Sequence, residues 1–89
     1  MTNEEVKTIL RTPYKPLALC ALSYVNLTDR ELNLLIMRHM RGHSQEETAW
    51  QMGCSSRVIQ RWEHDALDKC CKAWENLIFI EEILKAAQQ

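Results

Sequence analysis

The sequence predicts an all-α fold, and three observations carry that prediction. Apolar residues recur at helical spacing, as at Leu32, Leu35, Ile36 and Met40. Two Ser/Thr-x-x-Glu capping boxes mark helix starts, Thr28 with Glu31 and Ser44 with Glu47. Only two Gly and two Pro interrupt the 89 residues, and β-branched runs are few.

Residues 3–12 read as a short helix, and residues 17–25 as a second begun by Pro16. Thr12-Pro13-Tyr14-Lys15-Pro16 breaks the chain between them. Leu17, Leu19, Cys20, Leu22 and Val25 are too apolar to stay exposed, so this N-terminal helical extension is expected to cover the rest. Thr28 opens a third helix, which Gly42 stops. Ser44 opens a fourth, and Ser55 is a ready N-cap for a fifth.

The stretch from Ser44 to Trp62 has the spacing of a helix-turn-helix, the unit that sets one helix in a DNA major groove. Ala49 is small where two helices cross closely. Gly53 stands where the turn asks for a positive φ. Met52, Cys54, Ile59 and Trp62 are expected to point inward and fix the angle between the helices. Together with the helix opened by Thr28 this makes a three-helix unit: support helix, scaffold helix, recognition helix.

These residues carry a resemblance. Leu27-Thr28-x-x-Glu31, Leu35, Arg38, Gly42-x-Ser44-x-Glu46-Glu47-x-Ala49, Met52-Gly53-Cys54-Ser55, Ile59, Arg61 and Ala66-Leu67-x-Lys69 resemble region four of bacterial sigma factors. They are also similar to small phage late-transcription activators built on that domain, in which Arg-Trp followed by Ala-Leu is common. LuxR-type regulators share the Leu-Thr-x-x-Glu opening. The resemblance covers residues 27–69. The sequence departs from the sigma pattern at Thr48 and Cys54, where Ile or Val is usual, and at Trp50, where a polar residue is usual. At 89 residues the chain is expected to lack the other sigma domains. The resemblance implies a DNA-binding transcription regulator encoded by a phage or prophage. It also implies duplex DNA and RNA polymerase as partners.

Charge sharpens the expectation. The net charge is −1, low for a DNA binder. Its distribution matters more: residues 1–41 carry six Lys/Arg against four Asp/Glu, and residues 65–89 carry three Lys against five acids. With Ile59 and Trp62 inward, Ser56, Arg57, Gln60, Arg61 and His64 share the opposite face of the recognition helix. Arg makes paired hydrogen bonds to guanine and Gln to adenine. Ser55 and Ser56 at the helix N-terminus suit a phosphate or a base edge. Arg38 and Arg41 are the further candidate DNA contacts. So few cations predict modest affinity for a monomer and a shallow salt dependence.

The C-terminal third carries an apolar seam. Ala66, Cys70, Ala73, Leu77, Ile80, Leu84 and Ala87 alternate at four and three, a heptad pattern. A continuous helix from Ser55 past Leu84 would be about 45 Å long. Ala73, Leu77, Ile80 and Leu84 are then candidate oligomerisation residues, giving a homodimer or a polymerase contact. The alternative is a break near Asn76, with Leu77–Leu84 packed back on Leu17–Val25. The expected organisation is residues 1–26 as extension, 27–69 as helix-turn-helix and 70–89 as an apolar C-terminal helix, all in one compact domain.

Other classes fare poorly. No apolar run approaches about 18 residues, so no membrane span is expected. Thr2-Asn3-Glu4-Glu5 is acidic where a signal peptide is basic, so secretion is not expected, and the resemblance implies a bacterial cytoplasm. Cys20, Cys54, Cys70 and Cys71 form no Cys-x-x-Cys and read as small apolar residues in a reducing compartment. His39 and His43 are four apart, but Gly42 ends the helix between them, so no metal site is expected. No Ser-His-Asp or Cys-His set and no Gly-rich phosphate loop stands out, so neither an enzyme nor a cofactor is expected. Two alternatives to DNA reading stay open: a module that docks on RNA polymerase or a sigma factor, and a small DNA-packaging subunit.

Overall fold

The computed structural model describes residues 1–88. The chain is all-helical: α1 (Asn3–Leu10), α2 (Lys15–Leu22), α3 (Asp29–Leu35) with a π-helical continuation (Ile36–Met40), α4 (Gln45–Met52), α5 (Ser56–Trp74) and α6 (Ile78–Gln88). The helices α3, α4 and α5 form the expected three-helix unit. On its far side α1 packs against α5, α2 and α6.

The helix starts obey the capping chemistry. The Thr28 and Ser44 hydroxyls accept from the Glu31 and Glu47 N–H groups, and each Glu carboxylate reaches back to the cap N–H. A third box, Thr2 with Glu5, opens α1 in the same way and adds to the two expected. The helix α2 starts one residue earlier than Pro16, at Lys15, and stops at Leu22 rather than at residue 25. Pro16 fits there because the first turn of a helix has no partner for its N–H groups.

The third helix corrects the expected face. Leu34, absent from the expected stripe, is fully buried with Leu35, while Leu32, Ile36 and Met40 are only partly buried. In the π-helical segment the Arg41 N–H donates to the Ile36 carbonyl, 2.9 Å away, five residues back. The wider turn shifts the helical face, and His39 enters the interior at 3% exposure.

The long C-terminal helix is also corrected. α5 ends at Trp74, and α6 folds back onto α1 and α2. The molecule measures 37 Å along its longest axis, shorter than the helix the heptad pattern implied. A straight continuation would leave Ile80 and Ile83 in water. Folding back leaves them 1% and 8% exposed. Burying such side chains is worth about 1.5–3 kcal/mol each. Of the proposed oligomerisation residues, Ile80 is therefore core, and Ala73, Leu77 and Leu84 are half-buried against it. The alternative with a break near Asn76 describes the chain, with the difference that α6 lies on α1 as well as on α2.

The tryptophans divide accordingly. Trp74 is 1% exposed, and its indole N–H donates to the Ala21 carbonyl at 2.8 Å. Trp62, expected inside, is half-buried, and the Arg30 guanidinium lies 4.0 Å from its ring centre.

Candidate nucleic-acid interface

The turn between α4 and α5 is built as its residues require. Gly53 has φ 71° and ψ 36°, the left-handed conformation that L side chains avoid. A Cβ placed there would meet nothing within 4 Å, so the demand is one of backbone conformation and not of space. The Cys54 N–H donates to the Ala49 carbonyl at 3.0 Å, closing the end of α4. The Ser55 hydroxyl accepts from the Val58 N–H at 3.3 Å and caps α5. Thr48 fills its apolar position by donating its hydroxyl to the Ser44 carbonyl at 2.8 Å, so a fully buried side chain keeps no unpaired polar atom.

On α5 the inward residues are Ile59, Glu63, Ala66 and Leu67, while Met52 and Cys54 pack partly buried at the turn. The outward stripe holds Arg57, Gln60, Arg61 and His64, all exposed, with Ser56 partly exposed beside them and Ser55 exposed at the cap. Arg57, Arg61 and the exposed Arg41 have no ion-pair partner among the described residues. Their side chains are exposed to solvent.

Arg38 is not part of that surface. Its Nε donates to the Glu63 carboxylate at 3.2 Å and a second nitrogen donates to the His43 carbonyl at 2.6 Å. With 17% of its side chain exposed it is a framework residue, and its placement as a free surface cation is corrected. The cause is Glu63, a buried acid that in the sequence counts only as charge.

Glu63 organises a polar centre between α3, α4 and α5. Its Oε2 accepts from Arg38 and from the Gln45 amide at 3.2 Å, and its Oε1 lies 2.7 Å from His39 Nε2. The Arg11 Nε–H donates to His39 Nδ1 at 3.3 Å. That contact makes Nδ1 the acceptor and leaves the Nε2 proton to Glu63. Burial works against the Glu63 charge, but the bonds from His39 and Gln45 and the charge of Arg38 outweigh it, holding the carboxyl at about 2. A second acid, Glu31, is also held below the ordinary carboxylate range: burial opposes its charge, and Lys69 Nζ at 2.8 Å and the Thr28 cap override it. Gln45 and Arg30 are the residues of this end that sequence reasoning missed. An amide at the first position of a helix gives no sequence signal of its own, and Arg30 gains its role only from the proximity of Trp62.

Of the cysteines, Cys70 packs in the core and Cys54 and Cys71 are partly buried, whereas Cys20 is exposed with Leu19 on α2, against the expectation that both would be covered. Cys70 is fully buried, and desolvation pushes its thiol up to about 12. No helix among the described residues is long and apolar enough to cross a membrane.

No curated protein and no solved structure matches the chain. Residues 25–72 match the family model for sigma-70, region 4, a family of DNA-binding helix-turn-helix domains. That match spans α3, α4 and nearly all of α5, including every candidate contact on the outward stripe. More than half of the chain lies within it, and the chain belongs to the sigma-70 region 4 family.

Proposed function

We propose that the protein binds duplex DNA with the N-terminal half of α5 in the major groove and regulates transcription. The observation that carries this is the pairing of two faces on one helix. Arg57, Gln60 and Arg61 are exposed and their cations unpaired, while Ile59 and Glu63 behind them are locked into the fold. Arg57 and Arg61 supply bidentate donors for guanine edges or phosphate, Gln60 reads a base edge, and His64 reaches toward the strand beyond. Ser55 and Ser56 present backbone N–H groups at the helix N-terminus to a phosphate. Arg41, on the loop after α3, adds a phosphate contact.

The likeness to small phage late-transcription activators supports a phage or prophage regulator working in a bacterial cytoplasm, in concert with RNA polymerase. A contact with polymerase also has an observation of its own. Trp50 is 84% exposed on α4 beside Glu46 and Glu47, an arrangement suited to a protein partner. A selection from random duplex DNA, at low and at physiological salt, tests the reading. An enriched motif is expected at both. Recovery of no motif at either salt, with the protein folded, would leave protein docking as the function.

A further inference from the structure

The polar centre around Glu63 continues to the surface through two amides. Gln45 Nε2 donates to Glu63 Oε2 at 3.2 Å, and Gln60 Nε2 donates to Gln45 Oε1 at 3.0 Å. The direction of this chain is set by chemistry alone. An ionised carboxylate only accepts, so Gln45 must turn its NH₂ toward Glu63. Its carbonyl oxygen is then the atom facing Gln60, and a carbonyl also only accepts. Gln60 must therefore turn its own NH₂ toward Gln45. The carboxylate itself cannot rotate, because Arg38 and His39 hold its two oxygens. The side chain of Gln45 is half-buried while that of Gln60 is exposed, so the chain runs from a fixed interior anchor to the outward stripe.

Resting on the DNA-binding reading above, we propose that Gln45, on α4, is a positioning residue that locks the Gln60 amide and makes Gln60 a reader of adenine. One Gln60 N–H is committed to Gln45. The carbonyl oxygen and the second N–H remain for a base edge. Adenine offers the matching pair in the major groove, a donor at N6 and an acceptor at N7. Guanine offers acceptors at O6 and N7, so the locked carbonyl oxygen would face another acceptor. A free glutamine could turn its amide over and meet guanine with its NH₂. The locked one cannot do so without breaking its bond to Gln45. Specificity at this base pair thus depends on a side chain outside the recognition helix.

The test compares Gln45→Met, which keeps length and loses both polar atoms, with Gln60→Ala and the double variant. The base pair read by Gln60 is the one whose preference disappears in Gln60→Ala. At that pair, Gln45→Met is expected to lower the adenine-over-guanine ratio about ten-fold, the size of one good amide–base match. Gln45→Met should stay folded with a lower melting temperature, since Glu63 loses one donor, and its affinity for unrelated duplex should stay near wild type. The double variant should discriminate no worse than Gln60→Ala alone, because the two residues act as one unit. Full adenine preference in Gln45→Met, or additive losses in the double variant, would overturn the proposal. The free protein gives an independent readout. The Gln60 side-chain NH₂ protons should exchange with water more slowly in wild type than in Gln45→Met. Equal exchange in the two proteins would overturn the lock whatever the DNA shows. A wild type that binds duplex with no base preference at any position overturns the adenine assignment. A wild type that binds no duplex overturns the DNA reading itself, and slow exchange would then support the lock alone.

Discussion

The two ends of α5 are anchored by different chemistry. At the C-terminal end Trp74 is buried in the apolar cluster with Ala21 and Ile80, its indole donates to the Ala21 carbonyl, and the Cys71 thiol donates to Asn3 Oδ1 at 3.0 Å, both uncharged acceptors. At the N-terminal end Glu63 collects bonds from Arg38, His39 and Gln45, drawn from two other elements. Apolar burial is non-directional and fixes attachment. Hydrogen bonds to a charged group are directional and fix orientation. The end that carries the outward stripe is the end held by several bonds to one buried charge. A recognition helix needs its rotation about its own axis set as well as its position, because that rotation decides which side chains meet the groove.

Breaking the apolar end should produce the largest effect. Trp74→Ala is expected to cost about 3–5 kcal/mol, as for a large aromatic removed from a core. Trp62→Ala should cost clearly less, because Trp62 is half-buried at the edge of the core, with Arg30 over its outer face. Urea unfolding of the two variants checks the order. Equal losses would mean that the two ends are not distinguished in the way described.

The polar end should break next, and with a pH signature. The Glu63 carboxyl is held at about 2, below its ordinary 4.5. A carboxyl with a depressed pKa stabilises the fold fully above its unfolded value and loses that contribution as pH falls through the folded one. Stability should therefore fall by roughly 3 kcal/mol between about pH 4.5 and pH 2 on account of this group. Glu63→Gln should lose stability at neutral pH, since it leaves Arg38 half-buried without its counter-ion. Below pH 4.5 its curve should run flatter than that of wild type. A parallel curve would assign the acid sensitivity to other carboxyls.

The turn between the helices of the motif gives the smallest effect. Gly53→Val forces a β-branched residue to a φ of 71°, at a cost of about 1 kcal/mol or more. Gly53→Asn should recover much of this, because Asn tolerates the left-handed region. Thermal melts of the pair separate a conformational demand from a packing one. Equal losses would point to packing.

The contrast also explains what the sequence made legible. The caps at Thr28, Ser44 and Ser55, the positive φ at Gly53 and the exposure of Arg57, Gln60 and Arg61 depend on local spacing, which a sequence displays. The burial of Glu63 and His39 does not. Each reads as a surface charge or a stray histidine until the π-helical turn at Ile36–Met40 brings them together. Arg38 reads as a free surface cation for the same reason. The end of α5 at Trp74 is one of two readings of a single periodic stripe. Periodicity runs on through Glu75-Asn76-Leu77, and only the apolar surface of α1 and α2 decides between continuing and folding back.

In the proposed function, the stripe Arg57–Gln60–Arg61 meets DNA. The most direct measurement is duplex affinity across a range of salt concentrations, for wild type and for the Arg57→Ala, Arg61→Ala double variant. Both arginines are exposed and unpaired, so the double variant should melt like wild type. It should lose at least ten-fold in affinity and show a shallower salt dependence, as the loss of one or two charge contacts requires. A folded double variant with the affinity and the salt slope of wild type would contradict the claim and move the DNA contact to another face.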